Sequence, residues 1–113
     1  MLAKENRVVT AADYRATVRG GRRVGTAHTV VYIARRDADA PTRFGFIVAK
    51  SVGGAVRRNV VRRRMKAIGY QLLRSVGTGT DVVVRALPGS DQAEWSTLQR
   101  EIAEAVERGV ARG

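Results

Sequence analysis

Between residues 55 and 75 the apolar side chains Val61, Met65, Ile68 and Leu72 recur at 4-3-4 spacing. That spacing places all four on one stripe of a helix. On either side of this segment the pattern changes to runs of β-branched and aliphatic residues. "TAHTVVYIARR" and "RFGFIVAK" come before it, and "DVVVRALP" comes after it. These runs predict strands, so the long helix must bury its stripe against the sheet they build. In the first strand His28, Val30, Tyr32 and Ala34 point to one face, and Ala27, Thr29, Val31 and Ile33 to the other.

The remaining elements follow from local signals. Thr10 with Asp13 forms a capping-box-like start for "AADYRATVRGG", a short helix in which Tyr14 and Val18 share a face and Gly20-Gly21 ends the turn. "DADAPT" is a turn, and the strands on its two sides are expected to pair as a hairpin. A further short strand is expected within "NRVVT". "VGTGT" breaks the chain before the last strand. The C-terminal segment predicts a helix with Trp95, Leu98, Ile102 and Val106 on its apolar face, capped by Asp91 with Glu94. The expected fold is an α+β two-layer sandwich of a small mixed sheet and three helices, in the order α-β-β(-β)-α-β-α. Its 113 residues make one domain, 1–113.

Charge is the strongest compositional fact. There are 21 Lys and Arg against 10 Asp and Glu, a formal net charge of +11. Only Lys4, Lys50 and Lys66 are lysines, and arginine offers a planar donor fork that suits phosphate. From residue 40 to residue 80 there are nine basic residues and no acid. On the helical wheel Arg58, Arg62 and Lys66 form a line four residues apart, with Asn59 and Arg63 beside it. A solvated basic face, a membrane-surface helix and a polyanion site all compete for this feature. No acids at helical spacing pair with the arginines. The apolar face lacks the bulky aromatics that insert into a bilayer. A polyanion site therefore accounts best for the line. A helix-turn-helix pattern, a zinc-ligand set and a heptad zipper are all missing, so structured RNA fits better than duplex DNA.

The chain carries little equipment for catalysis of its own. It has no cysteine and one histidine, His28, placed in a strand. Asp37 and Asp39 lie two apart in a turn, with no cluster resembling a metal site. "VGTGT" is followed by no Gly-Lys-Ser/Thr, and Trp95 is expected in the core. No apolar run approaches the ~20 residues of a membrane span. "MLAKENRVVT" lacks a signal-peptide core, so a cytoplasmic protein is expected.

"FGFIVAKSVGGAVRRNVVRRRMK" resembles the signature of the protein subunit of bacterial ribonuclease P. The match runs through Gly45, Phe46, Val48, Lys50, Val52, Gly53, Ala55, Val56, Arg58, Asn59, Arg62, Arg63 and Lys66. "ENRVVTAADYRATVRGGRR" and "VVY" extend it, so that it spans about residues 4 to 86. Val60 replaces the second arginine of the usual motif, and Ser51 stands where a second basic residue is common. The resemblance implies an endoribonuclease holoenzyme whose catalyst is an RNA, with Mg2+ held by that RNA and no cofactor bound by the chain. The reaction removes the 5′ leader from precursor tRNA. It further implies contacts to the RNA from Lys50, Ser51, Gly53, Arg57, Arg58, Asn59, Arg62, Arg63 and Lys66. A leader-binding cleft would be formed by Tyr14, Val18, Val30 and Tyr32, and the crossover around the basic helix would be left-handed. The two tyrosines suit stacking on unpaired bases and equally suit packing of helix on sheet. A structural RNA-binding protein of ribosomal type is the competing function.

Overall fold

A computed structural model describes residues 2–111. The elements run α1 (Ala11–Gly20), β1 (Arg22–Gly25), β2 (Thr29–Arg35), β3 (Arg43–Ile47), α2 (Ala55–Val76), β4 (Thr80–Ala86) and α3 (Trp95–Ala111). One-turn 3-10 segments at Lys4–Asn6, Lys50–Val52 and Ser90–Gln92 join them. The fold is α+β, with three helices on a four-stranded mixed sheet in the order β1-β2-β4-β3.

The pairing differs from the hairpin expected between "TAHTVVYIARR" and "RFGFIVAK". β2 pairs antiparallel with β1 on one side and with β4 on the other. β3 pairs parallel with β4. Burial explains the order. Val82, Val83 and Val84 are each 0% exposed, so this strand needs cover on both faces and takes the interior position between β2 and β3. The 36–42 loop is tied to the turn before β4 by backbone bonds from Arg36 to Gly79 (2.8 Å) and from Gly79 to Ala40 (2.8 Å). The extra strand is Arg22–Gly25, the true hairpin partner of β2. "NRVVT" supplies only a bridge from Arg7 to Phe44 and a 2.9 Å bond from the Val8 amide to the Phe44 carbonyl.

The alternating faces of β2 hold as read. Val31 and Ile33 join the main core with Phe44, Val61, Met65, Ile68, Val82, Val84, Leu98, Ile102 and Val106. This is the side covered by α2 and α3. Val30 and Tyr32 join Val8 and Val83 in a smaller cluster on the other face, completed by Tyr14, Val18, Ile47 and Leu87. The stripe of α2 enters the main core at Val61, Met65 and Ile68, all 0% exposed, while Leu72 packs at its edge. Gly77, at φ 77°, ends the helix.

The N-terminal end of α3 departs from expectation. The helix starts at Trp95, which is 38% exposed rather than core. Ala93 is buried in its place, because the turn Ser90–Gln92 folds the preceding segment under α2. Asp91 does not cap the helix. Its carboxylate accepts from Arg57 (3.5 Å) and from Gln92 (3.1 Å). His28 lies in the turn before β2 rather than within it. Its Nδ1 is 2.9 Å from Oε1 of Glu101, which clamps the hairpin to α3. Among the described residues no helix is long and apolar enough to cross a membrane.

Candidate nucleic-acid interface

With Val61, Met65 and Ile68 turned into the core, the angular order of α2 assigns the remaining positions. Arg57 and Arg64 leave one side of the buried stripe. Arg58, Arg62 and Lys66 leave the other side, progressively further from the core. Arg58 is half-buried, and its Nε is enclosed without a hydrogen-bond partner. Arg62 is half-buried and donates from Nη1 to Oδ1 of Asn59 at 2.9 Å. Arg63 and Lys66 are exposed, and among the described residues no carboxylate lies in salt-bridge range of either.

The structure therefore divides the sequence-predicted set. It brings together Arg58, Asn59, Arg62, Arg63 and Lys66. Asn59 spends its carbonyl oxygen on orienting Arg62, which leaves its amide hydrogens as free donors. Arg57 lies on the other side of the helix and reaches Asp91. Arg64 donates to the Ala93 carbonyl at 3.1 Å and fastens α2 to the segment before α3. Lys50 and Ser51 are exposed in the 3-10 turn whose third residue, Val52, is only 5% exposed. Gly53 follows as the cap of that turn.

On the opposite face of the sheet α1 packs across the strands through Tyr14 and Val18. Its start is set by the Thr10 hydroxyl, which accepts from the Asp13 amide at 3.1 Å. Tyr14 lies directly over Gly45, where a Cβ would stand 2.7 Å from its Cε1. Its hydroxyl accepts from the Phe46 amide at 3.2 Å. Gly45 is thus the residue that lets the ring approach the strand. Val30 and Tyr32 are each only 5% exposed, covered in this smaller apolar cluster. Tyr14 and Val18 are half-buried over them.

An ion-pair chain ties α1 to the sheet beside this cluster. Arg43 grips Asp81 with two bonds, Nε to Oδ1 at 2.9 Å and Nη2 to Oδ2 at 2.7 Å. Its Nη1 reaches Oδ2 of Asp13 on α1 at 3.1 Å. Arg36 approaches Asp81 from the other side at 3.6 Å. Donation to the Asp81 carboxylate is the main reason the Arg43 guanidinium holds its proton even more tightly than usual. Asp13 is held below the usual carboxylate range, first by its side-chain hydrogen bond with Thr10 and then by the charge of Arg43.

Sequence reasoning missed Arg85. β4 is buried at every position except this one, and the arginine faces the α1 side of the sheet in register with Val30 and Ile47. The signal was present in "DVVVRALP", where one cation interrupts an apolar run.

A strongly basic helix connects the parallel neighbours β3 and β4 of a small sheet, and α1 covers part of the opposite face, which together define a compact basic α+β protein. Comparison with known proteins is more specific. The chain matches the Ribonuclease P family over residues 2–109. It is 56% identical to the ribonuclease P protein component of Clavibacter michiganensis over 110 residues, covering 97% of both chains. It is 48% identical to that of Pseudarthrobacter chlorophenolicus, covering 99% of this chain and 82% of the relative. The fold is similar to the ribonuclease P protein of Staphylococcus aureus, with a TM-score of 0.80 at 23% identity over 93% of this chain and 95% of that one. The Thermotoga maritima protein gives 0.81 at 22% identity, over 90% and 98%. The chain belongs to the ribonuclease P protein family.

Proposed function

We propose that the chain serves as the protein subunit of ribonuclease P, partnered by the ribonuclease P RNA, in removing the 5′ leader from precursor tRNA. In this reading the RNA carries the catalysis and holds the magnesium. The protein contributes binding and orientation. Family membership supports the partner.

The observation that carries the assignment of faces is the set Arg62, Arg63 and Lys66, exposed or half-exposed and, among the described residues, without carboxylates to neutralise it. Crowded like charges destabilise the free protein, and phosphates of a folded RNA relieve that repulsion. Arg58, Lys50 and Ser51 extend the same surface toward the end of β3. The cleft between α1 and the sheet holds the single-stranded leader, with Tyr14 and Val18 as its wall and Val30 and Tyr32 as its floor. Nothing in the fold or the family favours the ribosomal-type alternative.

Arg62→Ala, Arg63→Ala and Lys66→Ala combined test the basic face. Each lost phosphate contact removes roughly 0.9 from the slope of log affinity against log salt. The slope for the ribonuclease P RNA should therefore fall by roughly two to three. An unchanged slope would remove this face from the interface.

A further inference from the structure

From the geometry of the sheet we infer that Arg85 is a phosphate-binding residue on the cleft floor, and that it holds the single-stranded RNA leader beyond the reach of α1. This rests on the cleft reading above and adds to it a residue outside the wall and floor already named.

Arg85 is anomalous for its place. It lies on β4, an interior strand, between Val30 of β2 and Ile47 of β3. Val83, two residues before it on the same face, is 0% exposed. In the row of Val83, Tyr32 and Gly45 the sheet is roofed by Tyr14 of α1. In the row of Arg85 the roof has ended and the side chain is exposed. Interior strand positions favour apolar or β-branched side chains, so a cation there marks an opening in the cover. Ile47 and Leu87, both half-buried, stand on the same face beside it. The result is a shallow trough with apolar sides and one guanidinium at its centre.

The charges around it have one sign. Among the described residues no acid pairs with Arg85. Arg23, opposite Tyr32 on the same sheet face, is exposed. It lies two strand spacings away, roughly 10 Å across the sheet. Lys50 is exposed three residues past Ile47. The carboxylates of Asp81 and Asp13 are two rows away at the far end of the cleft, already bound to Arg43. A trough a few strands wide, with apolar sides and dispersed cations, is too small for a duplex and suits one unpaired strand. Arginine's fork grips a phosphate while its stem lies along Val30 and Ile47.

The test uses holoenzyme reconstituted from the ribonuclease P RNA and either wild-type, R85Q or R85K protein. Affinity is measured for precursor tRNAs with short and long leaders and for mature tRNA. R85Q should weaken the long-leader precursor by about three- to tenfold, lower its salt slope by roughly 0.7 as expected for one single-strand phosphate, and leave mature tRNA unchanged. R85K, which keeps the charge, should restore most of the salt slope. If wild-type holoenzyme favours leader-bearing substrate and R85Q does so equally, the assignment of Arg85 is overturned and the cleft reading stands. If R85Q weakens mature and precursor tRNA alike, Arg85 serves another contact and the assignment is again overturned. If wild-type holoenzyme shows no preference for a leader, the cleft reading itself fails.

Discussion

Replacing Gly45 with alanine should destabilise the protein through a single neighbour, Tyr14. The added Cβ would stand 2.7, 2.8 and 2.9 Å from Cε1, Cζ and Oη of that ring. Carbon pairs rest at about 3.5–4.0 Å, so the ring must retreat by nearly an ångström. Retreat stretches the 3.2 Å bond from the Phe46 amide to the Tyr14 hydroxyl and opens the smaller apolar cluster. Losing that bond costs about 1 kcal/mol, and the forced repacking costs about 1–3 kcal/mol. Relief of glycine's strand entropy returns about 0.5 kcal/mol. The net loss is about 2 kcal/mol. Urea unfolding of four proteins measures it: wild type, Gly45→Ala, Tyr14→Ala and the double variant. With the ring removed, Gly45→Ala should be neutral or slightly stabilising, which gives a coupling of about 2 kcal/mol. Additive losses would refute the reasoning, because the cost of the methyl would then arise somewhere other than Tyr14.

Two further outcomes follow from the ion-pair chain. Arg43→Ala strips Asp81, whose side chain is 8% exposed, of its bidentate partner. The loss should be about 3 kcal/mol by thermal or urea unfolding, at the low end for a broken buried pair because Arg36 remains nearby. Asp13 titrates below its ordinary value of 3.8 in the folded state, so it favours folding above that pH, and the benefit disappears as pH falls through the lowered value. Asp13→Asn should therefore lose stability at neutral pH and show a shallower decline on acidification than wild type.

Much of the architecture was legible because periodicity and burial are the same fact seen twice. Val61, Met65 and Ile68 recur at helical spacing, and all three are sealed in the core. Alternation in β2 correctly sorted Val31 and Ile33 from Val30 and Tyr32. Strand order was not legible, because alternation reports which side of a strand is buried and is silent on its neighbours. The clue lay in the three valines of β4, whose burial on both sides demands an interior place. Trp95 looked like core by spacing, yet the turn at Ser90–Gln92 buries Ala93 and leaves the indole at the rim.

The candidate site divides in the same way. The wheel placed Arg58, Arg62 and Lys66 together, since their geometry is internal to one helix. It had no means of foreseeing that Arg57 and Arg64 turn to Asp91 and Ala93, which are 34 and 29 residues distant. Nor did it reveal that Tyr32 is covered, because that depends on where α1 lies. Val60 is half-buried on the Arg57 and Arg64 side of α2, away from the ladder, and nothing in the structure explains the replacement of the usual arginine there.

The central claim is that this chain acts by assisting a catalytic RNA, and cleavage at low magnesium tests it most directly. The organism's ribonuclease P RNA is assayed with precursor tRNA at a magnesium concentration where RNA alone is slow, with and without the protein. The account predicts faster cleavage with the wild-type chain and a smaller gain with the variant lacking Arg62, Arg63 and Lys66. Equal rates with and without the protein would contradict it.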